Sequence, residues 1–225
     1  MRYVGPRHFH VDAGDPPPPV WAWGQDFAGQ VVTIIGNGPS LAGVSPEALR
    51  GHRHVAINSA CRWAGPIATA DDFLYFADNS WNENHPALAA AWRGVIVTCN
   101  RYAAARLAPR ARLLDVTALS LAAGGNPDHL HASSAHTAAV LAAAMGAARV
   151  VLLGMDGRIV AGRSHWHDDY QSMDPSPYAD RFIPGWFGVA RVVESLGAEI
   201  VNATPDSAVL GIPFLPLPKA VAAFA

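Results

Sequence analysis

Cysteine is scarce in this chain: 225 residues hold two, Cys61 and Cys99. That is too few for a disulfide scaffold or a cysteine-rich zinc module, and it suits a reducing compartment. Charge is scarce as well. Only 15 % of residues are charged, and 16 Lys and Arg against 18 Asp and Glu leave a formal net charge of −2. A nucleic-acid coat or an anionic-membrane binder needs clustered cations, so no nucleic-acid partner is expected. The opening stretch MRYVGPRHFHVDAGDPPPP lacks the apolar run of a signal peptide. No segment reaches the roughly 20 uninterrupted apolar residues of a membrane span, and the alanine-rich run Ala138–Ala148 suits a buried helix. A soluble, cytoplasmic protein is the expectation. Internal repeats are also missing.

Core material is plentiful. Hydrophobic residues make up 51 % of the chain, which excludes global disorder and fits one large domain with an extra arm. Residues 1–30 form that arm. Four consecutive prolines in DPPPPVWAWGQDF (Asp15–Phe27) forbid helix and central strand, so an extended segment crossing the domain on Trp21 and Trp23 is expected.

From residue 31 to 225 the pattern is that of a single α/β domain. VVTII (Val31–Ile35), HVAIN (His54–Asn58), FLYFA (Phe73–Ala77), GVIVT (Gly94–Thr98), RVVLLG (Arg149–Gly154) and EIVNA (Glu199–Ala203) are short apolar runs. Such runs suit strands of a parallel sheet covered on both faces. Helix candidates lie between them at Pro46–Arg50, His85–Trp92, Ser134–Met145 and Gly185–Leu196. Strand–helix alternation predicts a doubly wound, mostly parallel, Rossmann-like sheet. The polar, proline-broken stretch 157–184 is long for a compact domain and reads as a lid-like loop.

Four features could carry chemistry. The first is VVTIIGNGPSL, where a strand meets Gly36, Asn37, Gly38, Pro39 and Ser40. A glycine turn feeding a helix start can direct backbone N–H groups at an anion, although the same pattern also serves as a plain tight turn. It lacks the Gly-Lys-Ser/Thr ending of a phosphate loop and the full dinucleotide fingerprint. The second is the set of polar residues closing the strands: Asn58, Asp78 with Asn79, Cys99 with Asn100, and Gly154 with Asp156. Ligands of open α/β sheets bind at that carboxyl edge. The third is Ser133–Ser134, either a helix cap or a phosphate donor pair. The fourth is SHWHDDY (Ser164–Tyr170), where His165 and His167 with Asp168 suggest a general base oriented by a carboxylate, a metal cluster, or a structural loop.

These residues carry a resemblance. The GNGPSL turn resembles the opening motif of the bacterial sialyltransferases that use a CMP-activated sugar, and of pterin pyrophosphokinase-like proteins that use ATP. HWHDDY and IVNATP are similar to segments of an unassigned phage- or prophage-encoded branch. The likeness spans about Val31 to Phe214. It implies that Gly36–Ser40, Asn58, Asp78 or Asn79, Ser133, Ser134, Gly154 and Asp156 hold a small-molecule nucleotide. Two departures stand out. The family's tyrosine beside the leaving phosphate is replaced by Arg158, and its base histidine has no counterpart nearer than His165 and His167. In the phage-type segment the last histidine is Tyr170 here, so a metal triad loses a ligand.

The resemblance therefore implies nucleotide-dependent group transfer, with His165 or His167 as base, Asp168 as its partner and Arg158 on the leaving phosphate. A sialyltransferase-like glycosyltransferase taking a nucleotide-sugar is one form. A pyrophosphokinase-like enzyme is another, with Asp78, Asp156 and Asp168 available for Mg²⁺. A non-catalytic nucleotide-binding phage accessory protein is the third. The Trp-rich arm and the tail AVLGIPFLPLPKAVAAFA are apolar enough to cover a partner subunit in a homo-oligomer.

Overall fold

The apolar runs become strands of one sheet in the computed structural model, which describes residues 19–124, 133–169 and 176–222. They are β1 (Val31–Ile35), β2 (Arg53–Ile57), β3 (Phe73–Phe76), β4 (Val95–Thr98), β5 (Ala111–Leu113), β6 (Arg149–Leu153) and β7 (Glu199–Asn202). The seven strands lie in the order β5-β4-β3-β2-β1-β6-β7, and every neighbouring pair is parallel. This is a doubly wound α/β fold of Rossmann-like type. Of these strands only β5 has no counterpart among the sequence-based expectations: it is a three-residue edge strand of sequence ARL with no buried position.

Both faces are covered, which is why the runs carry no polar alternation. Ile34, Val55, Tyr75 and Val97 point into one core layer; Ile35, Ala56, Phe76 and Ile96 point into the other. The first layer is closed by α5 (Val116–Ala122), α6 (Ser134–Ala144) and α7 (Ile183–Ser195). After its polar first turn α6 is apolar, and eight of its eleven residues are buried. Its alanines let the helix sit close against β1, β2 and β6. The second layer is closed by two short 3₁₀ turns, Pro39–Gly43 and Pro46–Leu49, and by α1 (Ala60–Ala64), α2 (Asn79–Asn84), α3 (Pro86–Ala91), α4 (Arg101–Arg106) and α8 (Leu217–Ala220). Helices α1, α2, α4, α5 and α8 are at most seven residues long, too short for a helical period to announce them. No helix among the described residues is long and apolar enough to cross a membrane.

The described part of the arm, residues 19–30, packs on the first layer. Val20 bridges Leu113 of β5, Phe27 is buried, and Trp21 and Trp23 lie against the same core. Pro16–Pro18 of the proline run and Tyr170 fall outside the described residues.

Connectivity places the site. The chain runs outward from β1 to β5, then returns to add β6 on the other side of β1. The carboxyl ends of β1 and β6 are therefore the topological switch point, where adjacent connections diverge and leave a crevice.

Candidate functional site

The loops at that switch point are stitched backbone to backbone. Gly36 N–H donates to Leu153 O at 2.8 Å and Gly38 N–H to Gly154 O at 2.8 Å. A Cβ on Gly38 would stand 1.9 Å from an Asp156 carboxylate oxygen, and one on Gly36 would stand 2.6 Å from Gly154 O. Close approach, and not an unusual φ, is what the glycines of this turn provide. Gly154 itself has φ +68°, which a side chain rarely adopts.

Beside this seam lies a cavity of about 530 Å³. Gly36, Asn37 and Gly38 line it from the turn after β1; Asn58, Asp78 and Cys99 line it from the ends of β2, β3 and β4. Ser133, Ser134 and Ala135 reach it from the start of α6, and Gly154, Asp156 and Arg158 from the turn after β6. His165 closes another wall. Most residues expected to bind a nucleotide thus meet at one crevice.

Others do not. Pro39 and Ser40 start the 3₁₀ turn and are not among the lining residues. Ser40 gives both its N–H (3.1 Å) and its hydroxyl (2.8 Å) to the Asp156 carboxylate. The anion position at this short helix start is thus filled by the protein's own side chain. Burial raises the Asp156 carboxyl above its ordinary value, against the lowering effect of Ser40. Asn79 turns its amide to Glu83 at 2.8 Å. Asp168 is exposed and pairs with Arg163 at 2.6 Å, away from both histidines.

The two histidines occupy different places. His165 lines the cavity, with Nδ1 2.8 Å from Ser164 Oγ, and burial lowers its pKa below the usual 6.5. His167 lies behind the wall, with Nε2 3.2 Å from Asn37 Oδ1. Burial, opposed by Asp169, brings its pKa down to about 4. The stretch around them bends and is not a strand, so they do not present the shared face that a pair of strand-borne ligands would. Among the described residues no group of three His, Cys, Asp or Glu side chains could hold a metal ion. Asp78 and Asp156 both line the cavity, but Asp156 is engaged by Ser40 and Asp168 pairs with Arg163 outside it, so the three do not form a Mg²⁺ set.

Asn58 closes β2 with φ +49°, a left-handed conformation that asparagine tolerates better than most residues. Its Oδ1 is buried with no hydrogen-bond partner among the described residues, on the cavity wall. At the start of α6, Ser133 Oγ accepts the His136 N–H at 3.3 Å. The N–H groups of Ser134 and Ala135 lie in the first turn, where a helix has no internal partners for them.

Several lining residues escaped the sequence reading. Tyr75, Thr137, Tyr178, Arg181, Phe182 and Trp186 also line the cavity. Tyr75 sits inside an apolar strand, where nothing distinguishes it from core. Its hydroxyl pKa is raised well above 10 by burial and the neighbouring Cys99. Thr137 lies four residues after Ser133, one helical turn further on, and that spacing could have found it. The aromatic and basic cluster YADRFIPGWF (Tyr178–Phe187) was a usable signal too. Burial and Asp156 raise the Tyr178 pKa.

No family model and no curated protein sequence significantly matches the chain. Solved structures do. The sialyltransferase CstII from Campylobacter jejuni, in complex with the substrate analogue cytidine 5′-monophosphate, superposes with a TM-score of 0.56 at 16 % identity, covering 88 % of this chain and 89 % of that one. An α-2,3-sialyltransferase from Campylobacter jejuni in apo form gives 0.54 at 16 %, over 84 % and 81 %. The MAf glycosyltransferase from Magnetospirillum magneticum gives 0.58 at 14 %, covering 89 % of this chain and 35 % of that larger one. What the chain shares with these glycosyltransferases is their fold.

Proposed function

We propose that this chain is a sialyltransferase-like glycosyltransferase that takes a CMP-activated sugar as donor and carries out transfer at the β1/β6 crevice. The observation that carries the reading is one cavity that gathers amides, hydroxyls, helix N–H groups and arginines at the switch point of a fold shared with a CMP-bound sialyltransferase. Asn37 and Asn58 supply amides for the ribose and base. The unsatisfied Asn58 Oδ1 is suited to a ligand N–H or hydroxyl.

Because Ser40 is spent on Asp156, the phosphate belongs at the other helix start. There the Ser134 and Ala135 N–H groups and the serine hydroxyls meet the positive end of α6. Arg158 and Tyr178 border the same space and can neutralise the charge that grows on the departing phosphate. His165, held neutral by burial, is the group in position to accept the acceptor hydroxyl's proton. Pyrophosphoryl transfer fits less well, because of the three carboxylates that would hold Mg²⁺ only Asp78 and Asp156 line the cavity, Asp156 is engaged by Ser40, and Asp168 pairs with Arg163.

A thermal-shift panel of CMP, CDP, UDP, ADP, ATP and NAD, each with and without Mg²⁺, tests this. At about a hundred times its dissociation constant a ligand adds roughly 2.7 kcal/mol, or some 5–10 °C for a domain of this size. Protection by CMP or CDP without metal is expected. Protection by ATP only with Mg²⁺ would favour the pyrophosphokinase reading, and protection by none would remove the nucleotide site.

A further inference from the structure

Besides the Gly38–Gly154 and Ser40–Asp156 bonds, the segment after β6 is fastened to the glycine turn through Asn37. Asn37 O accepts the Trp166 N–H at 3.0 Å, and Asn37 Nδ2 donates to Ile57 O at 2.8 Å. Asn37 Oδ1 then faces His167 Nε2 at 3.2 Å. On the far side of the ring, the Asp169 N–H donates to His167 Nδ1 at 3.2 Å. Since Nδ1 accepts the Asp169 N–H and Oδ1 can only accept, these two hydrogen bonds fit a neutral imidazole with its proton on Nε2, donated to Asn37; the Asp169 carboxylate lies 3.5 Å from Nδ1, beyond the shorter N–H contact.

The ring is enclosed, with its side chain 2 % exposed and the Trp166 ring edge-on at 5.2 Å. Asp169 is held in turn by Arg62 of α1, at 3.0 Å to each oxygen. A continuous chain therefore runs Arg62–Asp169–His167–Asn37, from α1 to the cavity wall. It leaves Asn37 one amide hydrogen and one Oδ1 lone pair for a ligand.

We propose that His167 is a positioning residue for nucleotide binding, fixing the Asn37 amide through its Nε2–H, and is not the base. The inference rests on reading the cavity as a nucleotide site. The groups that set the ring's charge agree with it. Burial is the largest influence, His165, Arg62 and His85 oppose a positive charge, and Asp169 alone favours one. A proton on Nδ1 would break the Asp169 N–H contact that orients the ring.

Two measurements test it. Long-range ¹H–¹⁵N spectra of the full chain labelled with ¹⁵N-histidine, with His167→Gln to assign the signal, report the tautomer without any ligand. A single Nε2–H form that does not titrate between pH 5.5 and 8 is expected; an Nδ1–H form, or a ring titrating near 6.5, overturns the proposal. CMP titrations then read the consequence. His167→Ala and Asn37→Ala should each weaken CMP roughly tenfold, as loss of one well-placed hydrogen bond does. The double variant should be no weaker than either single one. His167→Gln places an amide N–H near the Nε2 position yet cannot accept a proton, so it should recover most of the affinity. Wild-type affinity in His167→Ala, or a glutamine variant as weak as the alanine one, overturns the proposal. If the wild type binds no CMP while the Nε2–H form is present, the nucleotide reading has failed and the positioning role falls with it. If it binds CMP and His167→Ala is neutral, this inference alone has failed.

Discussion

At Gly38 the space a side chain would need is already taken by Asp156 and by the backbone of Gly154. Neither can move without breaking the seam between β1 and β6, so Gly38→Ala should cost about 2–3 kcal/mol. Gly43, five residues on, has nothing within 4 Å of its virtual Cβ. Gly43→Ala should stay within about 0.5 kcal/mol. Urea melts of the two variants check both statements, and equal losses would show that the seam is not what Gly38 serves.

The buried histidines set a second expectation at this scale. His54, His165 and His167 all have lowered pKa values in the fold, each chiefly through burial. The unfolded chain takes up their protons near pH 6.5 and the native state does so only at lower pH, near 4 for His167. Stability is therefore present above about pH 6.5 and lost as pH falls toward 4. For His167 alone the loss between pH 7.5 and 5 is about 2 kcal/mol. Asp156 works in the opposite direction, because its raised carboxyl gains a proton more readily when folded. Unfolding free energies at the two pH values should differ less in His167→Gln than in the wild type.

At the scale of elements, α6 has two separable roles. Its body is a small-residue helix packed between the sheet and α7, with Ala139 wholly buried. Ala139→Leu should cost about 1–3 kcal/mol by overpacking, with no direct effect on ligand contacts. Its first turn faces the cavity. Ser133 caps the helix, so Ser133→Ala should cost about 1 kcal/mol. Ser134 makes no cap contact among the described residues, so Ser134→Ala should leave stability within about 0.5 kcal/mol and weaken CMP. Comparing urea midpoints with CMP titrations for the two serines separates capping from binding.

At the scale of the whole molecule, β5 would be an open edge were it not partly covered by residues 19–27. Trp21 N–H donates to Leu113 O at 2.8 Å, and Phe27 meets the Phe73 ring at 4.9 Å. An uncovered edge strand recruits other chains. Phe27→Ala should therefore destabilise by about 3–5 kcal/mol and raise the fraction of self-associated protein in sedimentation velocity. A monomeric, fully stable variant would show that the arm is dispensable.

The sequence by itself determined the layers of this protein. Runs such as VVTII and RVVLL carry no polar alternation, and only a sheet covered on both faces accommodates them. Strand ends then had to carry the polar residues, so Asn58, Asp78 and Gly154 were legible as one edge. The short helices and β5 were not legible, because they span too few residues to show a period.

What only the tertiary structure decided is which polar group faces which. Asp156 folds back onto Ser40 and takes the anion position at the glycine turn. Asp168 turns out to Arg163. Of two histidines one residue apart, one lines the cavity and the other is locked behind Asn37. The choices at Asp156 and His167 depend on partners 116 and 130 positions away along the chain, while Asp168 finds Arg163 five positions back. A local sequence pattern records which hydrogen-bonding groups a segment owns, but burial between distant segments settles which of them a ligand can reach.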